Sequence, residues 1–290
     1  MSQKQHNWDA KNLKGKHKPV PGSTDGGSCL NRHIADRHKG PEGVLKEHSC
    51  NYRWQGFKRA LEDPKLYNWP RYKALCEQIS RSPRLTMLAR TVGGRMEVDA
   101  PKEGLWDVKD GGKNFRTSCN LPYWHESHHI IPDSNLTTAI AKLGAGTPYE
   151  LEYKKLVRTG LLEESYNLNH TLNMIILPMD ERIALTLGLP RHRISADTFS
   201  HNAYSEKVQI RLDALFNPVQ EKLQNHEAPD YKFAKTQLEA LSKELYPMIV
   251  LAGKLMKKGR VSGGSVEEMP KDLFRLPQET PSGSAADFVF

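Results

Sequence analysis

Three histidines stand within five residues in the segment 124–132, which reads Trp-His-Glu-Ser-His-His-Ile-Ile-Pro. Side chains alternate along a β-strand, so the adjacent His128 and His129 cannot face the same way in a regular strand. At a strand end, however, both imidazoles can reach one small volume, where one binds a metal ion and its neighbour works on a water molecule. The alternative interpretation is a group of surface histidines that precede a turn.

Two later segments contain polar residues at positions that suit the same site. Asn173 lies near the start of the apolar run 172–178, whose length and isoleucines are typical of a short strand. Ser200 is a suitable N-cap for a helix in which Val208 and Leu212 recur at helical spacing, and His201 would lie in its first turn. The expected order is therefore paired histidines on one strand, an asparagine on a second strand and a histidine at a helix start.

These segments, in this order, resemble the HNH/endonuclease VII superfamily of ββα-metal nucleases. They are most similar to the His-rich colicin DNase form and to the toxin branch named for its Ala-His-His motif. The resemblance covers roughly residues 119–216. It implies that His128 and His201 bind the metal ion, that His129 is the general base, and that Asn173 ties the loop between the two strands.

The sequence departs from the family at two positions. Ser127 stands where the family has alanine, and Ser205 stands where the colicin form has a second helix histidine, with Tyr204 one residue earlier. We therefore expect an ion bound by two histidines and completed by water and phosphate oxygens. Glu126 either fixes the tautomer of a ligand histidine or lies on the surface. The supporting residues expected around the site are His125, Glu126, Asn202 and Tyr204.

The resemblance implies a metal-dependent endonuclease that hydrolyses DNA, with RNA as the alternative substrate. One divalent ion per site, Mg²⁺ before Zn²⁺, Mn²⁺ or Ni²⁺, would stabilise charge on the phosphate and the leaving oxygen. Neutral His129, with a pKa near working pH, would accept a proton from water. Many relatives are bacterial toxins or effectors, which implies an acidic immunity protein as a partner. The candidates for phosphate contacts are Arg116, Arg191 and Arg193.

A different class of function stays open at this stage, namely a non-catalytic, zinc-stabilised protein that binds nucleic acid. In it a four-ligand structural site without an open position would bind metal and cleave nothing. Its ligands would be His125, His128, His201 and Cys119.

Composition suits a folded domain that binds a polyanion. The 290 residues include 42 Lys and Arg against 34 Asp and Glu, a net charge of +8, which favours phosphate-rich partners. No apolar run approaches the ~18 residues of a membrane span, and the first residues are polar, unlike a signal peptide. We expect synthesis in the cytoplasm, no membrane association, and secretion or delivery into a target cell only by machinery that needs no cleaved signal.

The predicted fold is α+β and mainly helical, with a ββα-metal (His-Me finger) nuclease core, helical insertions and a C-terminal helical part. We expect a disordered basic arm over 1–28, a helical region over 29–83 and the nuclease domain over 84–226, with a hairpin before the histidines. A helix packed on the core should cover 227–257 and a disordered tail 258–290.

Two of the four cysteines lie near histidines in the N-terminal third of the chain. Cys29, His33, His48 and Cys50 together offer two thiols and two imidazoles. Their spacing matches no common zinc finger, so we favour buried, unligated cysteines and leave zinc as the alternative.

Overall fold

A computed structural model describes most of the chain between residues 2 and 274. The described residues are 2–13, 18, 26–33, 47–67, 69–79, 84–88, 95–99, 106, 108–109, 114–116, 119, 121–193, 202–260 and 264–274. Their helices are α1 Ser2–Asn12, α2 Tyr52–Glu62, α3 Trp69–Ile79, α4 Asp133–Lys142, α5 Glu150–Glu163, α6 Glu181–Leu187, α7 Asn202–Gln224 and α8 Tyr231–Lys257. Their strands are β1 Arg84–Leu88, β2 Arg95–Asp99, β3 His125–His129 and β4 Met174–Pro178. Short 3-10 turns lie at Pro64–Leu66, Thr171–Asn173, Val266–Glu268 and Lys271–Phe274. The mainly helical α+β fold that the sequence predicts is confirmed.

The strands form two separate antiparallel pairs. The predicted hairpin is present as β1 and β2, and β3 pairs with β4 so that His129 lies opposite Met174 and His125 opposite Pro178. Every residue of both β3 and β4 is buried. β4 is apolar throughout, which suits a strand covered on both faces. The polar β3 is also buried, so its side chains require partners in the interior.

Helices cover this small sheet closely. α2 crosses β3 and β4, and a Cβ atom at Gly56 would lie 2.4 Å from Ser127 Oγ, so the helix packs directly on the strand. α8 packs against the 3-10 turn that precedes β4, and α7 packs on α4 and α8. Asp230 caps α8 by accepting a hydrogen bond from the Phe233 N–H at 2.8 Å. The predicted C-terminal helix packed on the core is therefore present.

The expectation of a disordered arm is wrong for residues 2–13. These residues form α1, and Asp9 is completely buried against the equally buried Arg158 of α5. Arg158 Nε donates to Asp9 Oδ1 at 3.0 Å, and both residues also bond to the side chain of Asn31. A polar segment without an apolar stripe looks disordered in sequence, but here buried polar contacts and Leu13 hold it in place. Most of residues 14–25 lie outside the described part.

The expectation of a disordered tail is wrong for residues 264–274. Val266, Met269 and Phe274 are buried, and Ser265 and Glu268 form a capping box on the first short turn. The Arg191 N–H donates to Gly264 O, and the Val266 N–H donates to Arg191 O. This segment therefore packs beside the loop that follows α6. Residues 275–290 lie outside the described part. Within the described ranges, no helix has the length and apolar character that a membrane crossing needs.

Candidate active site

The strand β3 presents its polar residues to two different faces. His125, Ser127 and His129 share one face, and Glu126 and His128 share the other, because side chains alternate along a strand. The five residues are between 3% and 9% exposed, so each face is a buried environment. The two adjacent histidines consequently have different neighbours.

His129 is held by an amide whose orientation is fixed. Its Nε2 lies 2.9 Å from Oδ1 of Asn169, and Asn169 Nδ2 donates to the carbonyl oxygen of Asn31 at 2.9 Å. The second bond requires the amide nitrogen to face Asn31, so the amide oxygen faces the imidazole. Nε2 of His129 therefore carries the proton, and in the neutral ring Nδ1 is the atom that can accept one.

Burial keeps His129 neutral. Its pKa is lowered from 6.5 to about 3, chiefly by loss of solvent contact and also by the charge of Arg32, and the hydrogen bond to Asn169 opposes this only in part. The expectation of a pKa near working pH is therefore wrong for this arrangement. The ring is unprotonated throughout the neutral range, which is the form that a proton acceptor must have.

Residues from the chain before the histidine segment complete this face. The Tyr52 ring centroid lies 5.1 Å from that of His129. Arg32 donates to the Tyr52 hydroxyl at 2.7 Å and lies over its ring, with 4.6 Å between Cζ and the centroid, and Arg53 lies 5.9 Å from the same centroid. Both arginines are half-buried. Two positive charges therefore lie near the neutral imidazole.

His128 faces the start of α7. Its ring centroid lies 5.2 Å from that of His192 and 5.3 Å from that of Tyr204. The buried Tyr204 hydroxyl donates to Ile130 O at 2.6 Å, so it connects α7 to the residue that follows the two histidines. α7 begins at Asn202, whose side chain lies outside the described part, as does His201.

Glu126 shares this face and is not a surface residue. Its carboxylate is 7% exposed and accepts a hydrogen bond from Arg193 at 3.0 Å between Nη2 and Oε2. The same oxygen lies 3.3 Å from Nδ1 of His192. Glu126 thus lies beside the His192 ring, whose Nδ1 also accepts a hydrogen bond from Nε of Arg193 at 3.3 Å.

Asn173 organises the chain between the strands. Its Oδ1 accepts from the Ile131 N–H at 2.7 Å, and its Nδ2 donates to Ile131 O at 3.1 Å and to Leu168 O at 2.8 Å. Ser242 of α8 also donates to Oδ1, at 2.9 Å. The amide is saturated by these contacts, so it holds the two loops in register and has no spare group for chemistry.

Residues 113–245 match the sequence model of the AHH family, described as a nuclease family of the HNH/ENDO VII superfamily with conserved AHH. Over this part, 133 of the 290 residues, the chain is similar to the AHH family. The AHH region comprises β3, β4, the helices α4 to α7 and the first half of α8. No curated protein and no solved structure matches the chain. The predicted family is confirmed.

The AHH motif itself reads Ser127-His128-His129 in this chain. Gly56 of α2 approaches Ser127 so closely that a Cβ at position 56 would lie 2.4 Å from its hydroxyl and 2.9 Å from its Cβ. Only a small side chain fits beneath the helix at position 127. Serine meets that requirement as alanine does, so the packing is compatible with the departure from the motif.

The structure does not support the four-ligand zinc site of the alternative function. His125 lies on the opposite face of β3 from His128, with Nδ1 2.8 Å from Tyr123 O and its ring against Phe115. Burial lowers its pKa from 6.5 to about 4. Strand alternation therefore separates two of the proposed ligands, and His125 packs among aromatic rings.

The three arginines proposed for phosphate contacts have different surroundings. Arg193 lies in the AHH site but is 5% exposed and bound to Glu126. Arg191 Nη1 lies 3.6 Å from the Glu181 carboxylate, and Arg116 Cζ lies 5.9 Å from the Trp54 ring centroid. The structure therefore places only Arg193 next to the AHH histidines, and there it neutralises a carboxylate.

The AHH histidine face has donor groups that suit a divalent ion but do not enclose one. His128, His192 and Glu126 offer nitrogen and oxygen atoms of the kinds that bind Zn²⁺, Mn²⁺ and Mg²⁺. Among the residues that the structure describes, no three His, Cys, Asp or Glu side chains are already arranged to hold an ion. The donor set fits an ion whose further ligands come from elsewhere.

Sequence reasoning missed Asn169, His192, Arg32 and Tyr52. His192 lies between two arginines and Asn169 lies four residues before Asn173, so both had a weak signal in the sequence. Arg32 and Tyr52 had none, because the packing of separate segments brings them to β3.

Proposed function

We propose that this chain is a metal-dependent endonuclease that hydrolyses phosphodiester bonds of DNA. The observation that carries the proposal is the geometry of the AHH motif, in which one histidine faces α7 and its neighbour is buried, neutral and held in one tautomer. Hydrolysis needs a charged centre and a proton acceptor close together, and adjacent residues at a strand end supply both.

The ion belongs on the His128 face. A divalent ion bound there supplies charge stabilisation for the phosphate and the departing oxygen. We propose His128 and His201 as its ligands, with the imidazole of His192 beside them and with Arg193 and Glu126 in contact with that ring. Mg²⁺ is our first choice of ion, before Zn²⁺, Mn²⁺ and Ni²⁺.

His129 accepts the proton in this proposal. The Asn169 amide holds the proton of the imidazole on Nε2, which leaves the lone pair of Nδ1 for water. A pKa of about 3 makes the ring a weak base in the free protein. A divalent ion held by His128 and His201 would lower the pKa of water near the phosphate, so a weak base would suffice. Tyr52 limits the movement of the ring.

Among the described arginines, Arg32 and Arg53 are well placed to attract the nucleic acid. They are half-buried beside Tyr52 on the His129 face, whereas Arg193 is bound to Glu126. Guanidinium groups bind phosphate oxygens through two parallel N–H groups. We propose that these two arginines contact the phosphates next to the cleaved bond, with Arg116 and Arg191 in secondary roles.

The first experiment is incubation of the purified chain with supercoiled plasmid and, separately, with RNA. Mg²⁺, Mn²⁺ and Zn²⁺ are tested in parallel with a chelator control. We expect plasmid nicking that requires an ion and that weakens as salt rises, because phosphate contacts release counterions. Cleavage of RNA alone would contradict the DNA assignment, and full activity in excess chelator would exclude the metal-dependent mechanism.

We also propose a role as a toxin or effector that an acidic immunity protein neutralises. The support is the resemblance to toxin nucleases and the net charge of +8, which suits an acidic partner. Induced expression in bacteria should arrest growth for the wild type and not for His129→Ala. Equal growth of both strains at equal protein levels would oppose a toxic role.

A further inference from the structure

A second group of histidines and cysteines lies in the N-terminal part of the chain, outside the AHH region. It comprises Cys29, His33, His48 and Cys50, with His6 of α1 beside them. Cys29 and Cys50 are 0% and 1% exposed, and both are free thiols that interact with each other. Three segments that are distant in sequence therefore bring their sulfur and imidazole groups to one buried place.

The separations of His33 and His48 from the Cys50 sulfur are close to those of a zinc site. Nδ1 of His33 lies 3.0 Å from Sγ of Cys50, Nδ1 of His48 lies 3.2 Å from the same sulfur, and Nδ1 of His6 lies 3.7 Å from Sγ of Cys29. Tetrahedral zinc with ordinary Zn–S and Zn–N bonds places its sulfur and nitrogen ligands about 3.5 Å apart. The two contacts to Cys50 therefore need to lengthen by only about 0.5 Å or less.

The described side chains do not yet surround an ion. As in the AHH site, no three His, Cys, Asp or Glu groups among them are already arranged to hold one. The imidazoles of His33 and His48 instead contact the Cys50 sulfur directly, at distances of a thiol–imidazole hydrogen bond. Rotation of these rings would convert contacts with one sulfur into contacts with a shared ion.

An ion bound here would stabilise the local structure. The segments 26–33 and 47–51 contain no helix or strand of their own, and isolated bridges and side-chain bonds hold them to the chain near Asn167. A region without an apolar core of its own commonly needs a metal or a covalent link to become ordered. Two buried thiols and two imidazoles are a complete ligand set for structural zinc.

We propose that Cys29, His33, His48 and Cys50 bind one structural zinc ion. His6 packs over the site, since its ring stacks on that of His33 with 3.7 Å between the centroids. The ion would connect the segment 29–33 to the segment 48–50 and thereby fix the start of α2.

This site would also order the His129 face of the AHH domain. Cys50 precedes Asn51, the N-cap of α2, and the N–H of Tyr52 donates to His33 O at 3.1 Å. Arg32 is the residue before His33. On the other side, the Leu168 N–H donates to Cys29 O at 2.7 Å, next to the Asn169 that holds His129. Loss of the ion should therefore loosen Tyr52, Arg32 and Asn169 together.

Metal analysis of the full chain tests the proposal. The protein is dialysed against a moderate chelator, to remove weakly held ions, and its zinc content is measured. We expect one zinc ion per chain in the wild type, in His128→Ala and in His6→Ala, and none in Cys50→Ser or in the Cys29→Ser, Cys50→Ser double variant. Cys119→Ser is the matched control, since Cys119 is a half-buried free thiol outside the cluster.

Cobalt substitution of the wild type avoids variants that fail to fold. Replacing zinc with Co²⁺ should give the thiolate-to-cobalt charge-transfer absorption in the near ultraviolet and the visible bands of a tetrahedral ion. An unchanged spectrum on cobalt titration of the metal-free protein would overturn the proposal. Loss of zinc in Cys119→Ser or in His128→Ala, together with retention of zinc in Cys50→Ser, would also overturn the proposal. A measured protein mass that shows a Cys29–Cys50 disulfide would overturn it as well. Zinc loss in His6→Ala with retention in His48→Ala would overturn the ligand assignment.

Discussion

The two faces of β3 differ in charge and in the part of the chain that covers them. On the His128 face, a carboxylate, a second imidazole and the start of α7 surround the ring, all within the AHH region. On the His129 face, an amide of the AHH region meets Tyr52, Arg32 and Arg53, which precede that region. The family motif thus builds one face, and the N-terminal chain completes the other.

This difference in charge suits binding of a cation on the His128 face and of a phosphate anion on the His129 face. The Glu126 carboxylate lowers the cost of a positive ion near His128, although Arg193 neutralises part of its charge. The two arginines would favour a phosphate on the His129 face, and the charge of Arg32 opposes protonation of the His129 ring. The comparison predicts that substitutions on the two faces affect different steps, metal binding on one and proton transfer on the other.

Alanine substitution of each adjacent histidine tests the comparison most strongly. His128→Ala removes a ligand in our proposal, so metal affinity and cleavage should fall together. His129→Ala should leave metal and DNA binding nearly intact while cleavage falls by roughly 10²–10⁴-fold, the usual range for loss of a positioned general base. Residual cleavage should rise with pH as hydroxide replaces the base. Calorimetric metal titration and plasmid nicking on the same preparations measure both effects, and loss of the metal in His129→Ala would make His129 a ligand.

The buried ion pair between Asp9 and Arg158 should matter most for stability. Asp9→Asn leaves the Arg158 guanidinium buried without its anion, so we expect a loss of about 3–5 kcal/mol in the free energy of unfolding. Arg158 also donates to Asn31, whose carbonyl oxygen accepts from Asn169, so the loosening should reach the His129 face. Denaturant unfolding and hydrogen exchange measure the two effects.

The same ion pair should make the protein sensitive to acid. Burial disfavours the charged form of Asp9, but hydrogen bonds and the charge of Arg158 outweigh it and hold the pKa below its ordinary 3.8. The stabilisation is therefore complete above that value and is lost as pH falls through the lowered pKa. Asp213→Asn is the matched control, because the pair of Lys142 with Asp213 is exposed and contributes about 0–1 kcal/mol. Equal losses in both variants would contradict a special role for Asp9.

The sequence alone was sufficient to predict the strands and the helix around the site, because their residue patterns are periodic. Adjacent histidines on a strand, a second strand near Asn173 and the helix after His201 follow from alternation, apolar runs and capping, and the structure has β3, β4 and α7 accordingly. Asn173 itself was expected on the second strand and lies instead in the 3-10 turn that precedes it. The role of Asn173 in tying the loops was implied by the family resemblance, and its side chain contacts both loops in the structure.

The remainder could not be predicted because it depends on contacts between distant segments. Nothing local in residues 2–13 indicates that Asp9 meets a residue 149 positions later. Tyr52 and Arg32 reach His129 only after α2 has packed across β3, and their spacing is that of ordinary surface residues. The pKa of His129 likewise depends on the completeness of its burial, which composition does not encode.

Substitution of Asn169 should weaken catalysis without removing the base. Asn169→Leu removes the acceptor of the Nε2 proton, so the imidazole can adopt either tautomer and rotate. Loss of such an orienting partner typically costs roughly 10–100-fold in activity. Metal affinity on the His128 face should be unchanged. The readout is the cleavage rate at saturating metal together with the imidazole NMR shifts, and an unaltered tautomer in Asn169→Leu would contradict the assignment.

Gly56→Ala tests the contact between α2 and the AHH motif. The new Cβ would lie 2.4 Å from Ser127 Oγ, so α2 must move away from β3 and carry Tyr52 with it. Overpacking of this kind costs about 1–3 kcal/mol. Ser127→Ala in the same chain removes the hydroxyl that clashes and should recover part of the loss. No rescue by the second change would show that the helix is held elsewhere.

His125 allows the most specific test of the buried His129 face. Its folded pKa, about 4, lies below the ordinary 6.5, so the unfolded chain binds a proton more readily than the folded chain. Its contribution to stability is therefore complete above pH 6.5 and declines as pH falls, by up to about 1.4 kcal/mol per pH unit until the folded value is reached. His125→Asn retains an N–H for Tyr123 O but does not titrate, so its stability should fall less steeply between pH 6.5 and 4. Thermal unfolding of both proteins across this range gives the two slopes. Parallel slopes would mean that His125 is hydrated in solution, and the aromatic packing of Phe115 and Tyr123 around it would then be weaker than the structure indicates.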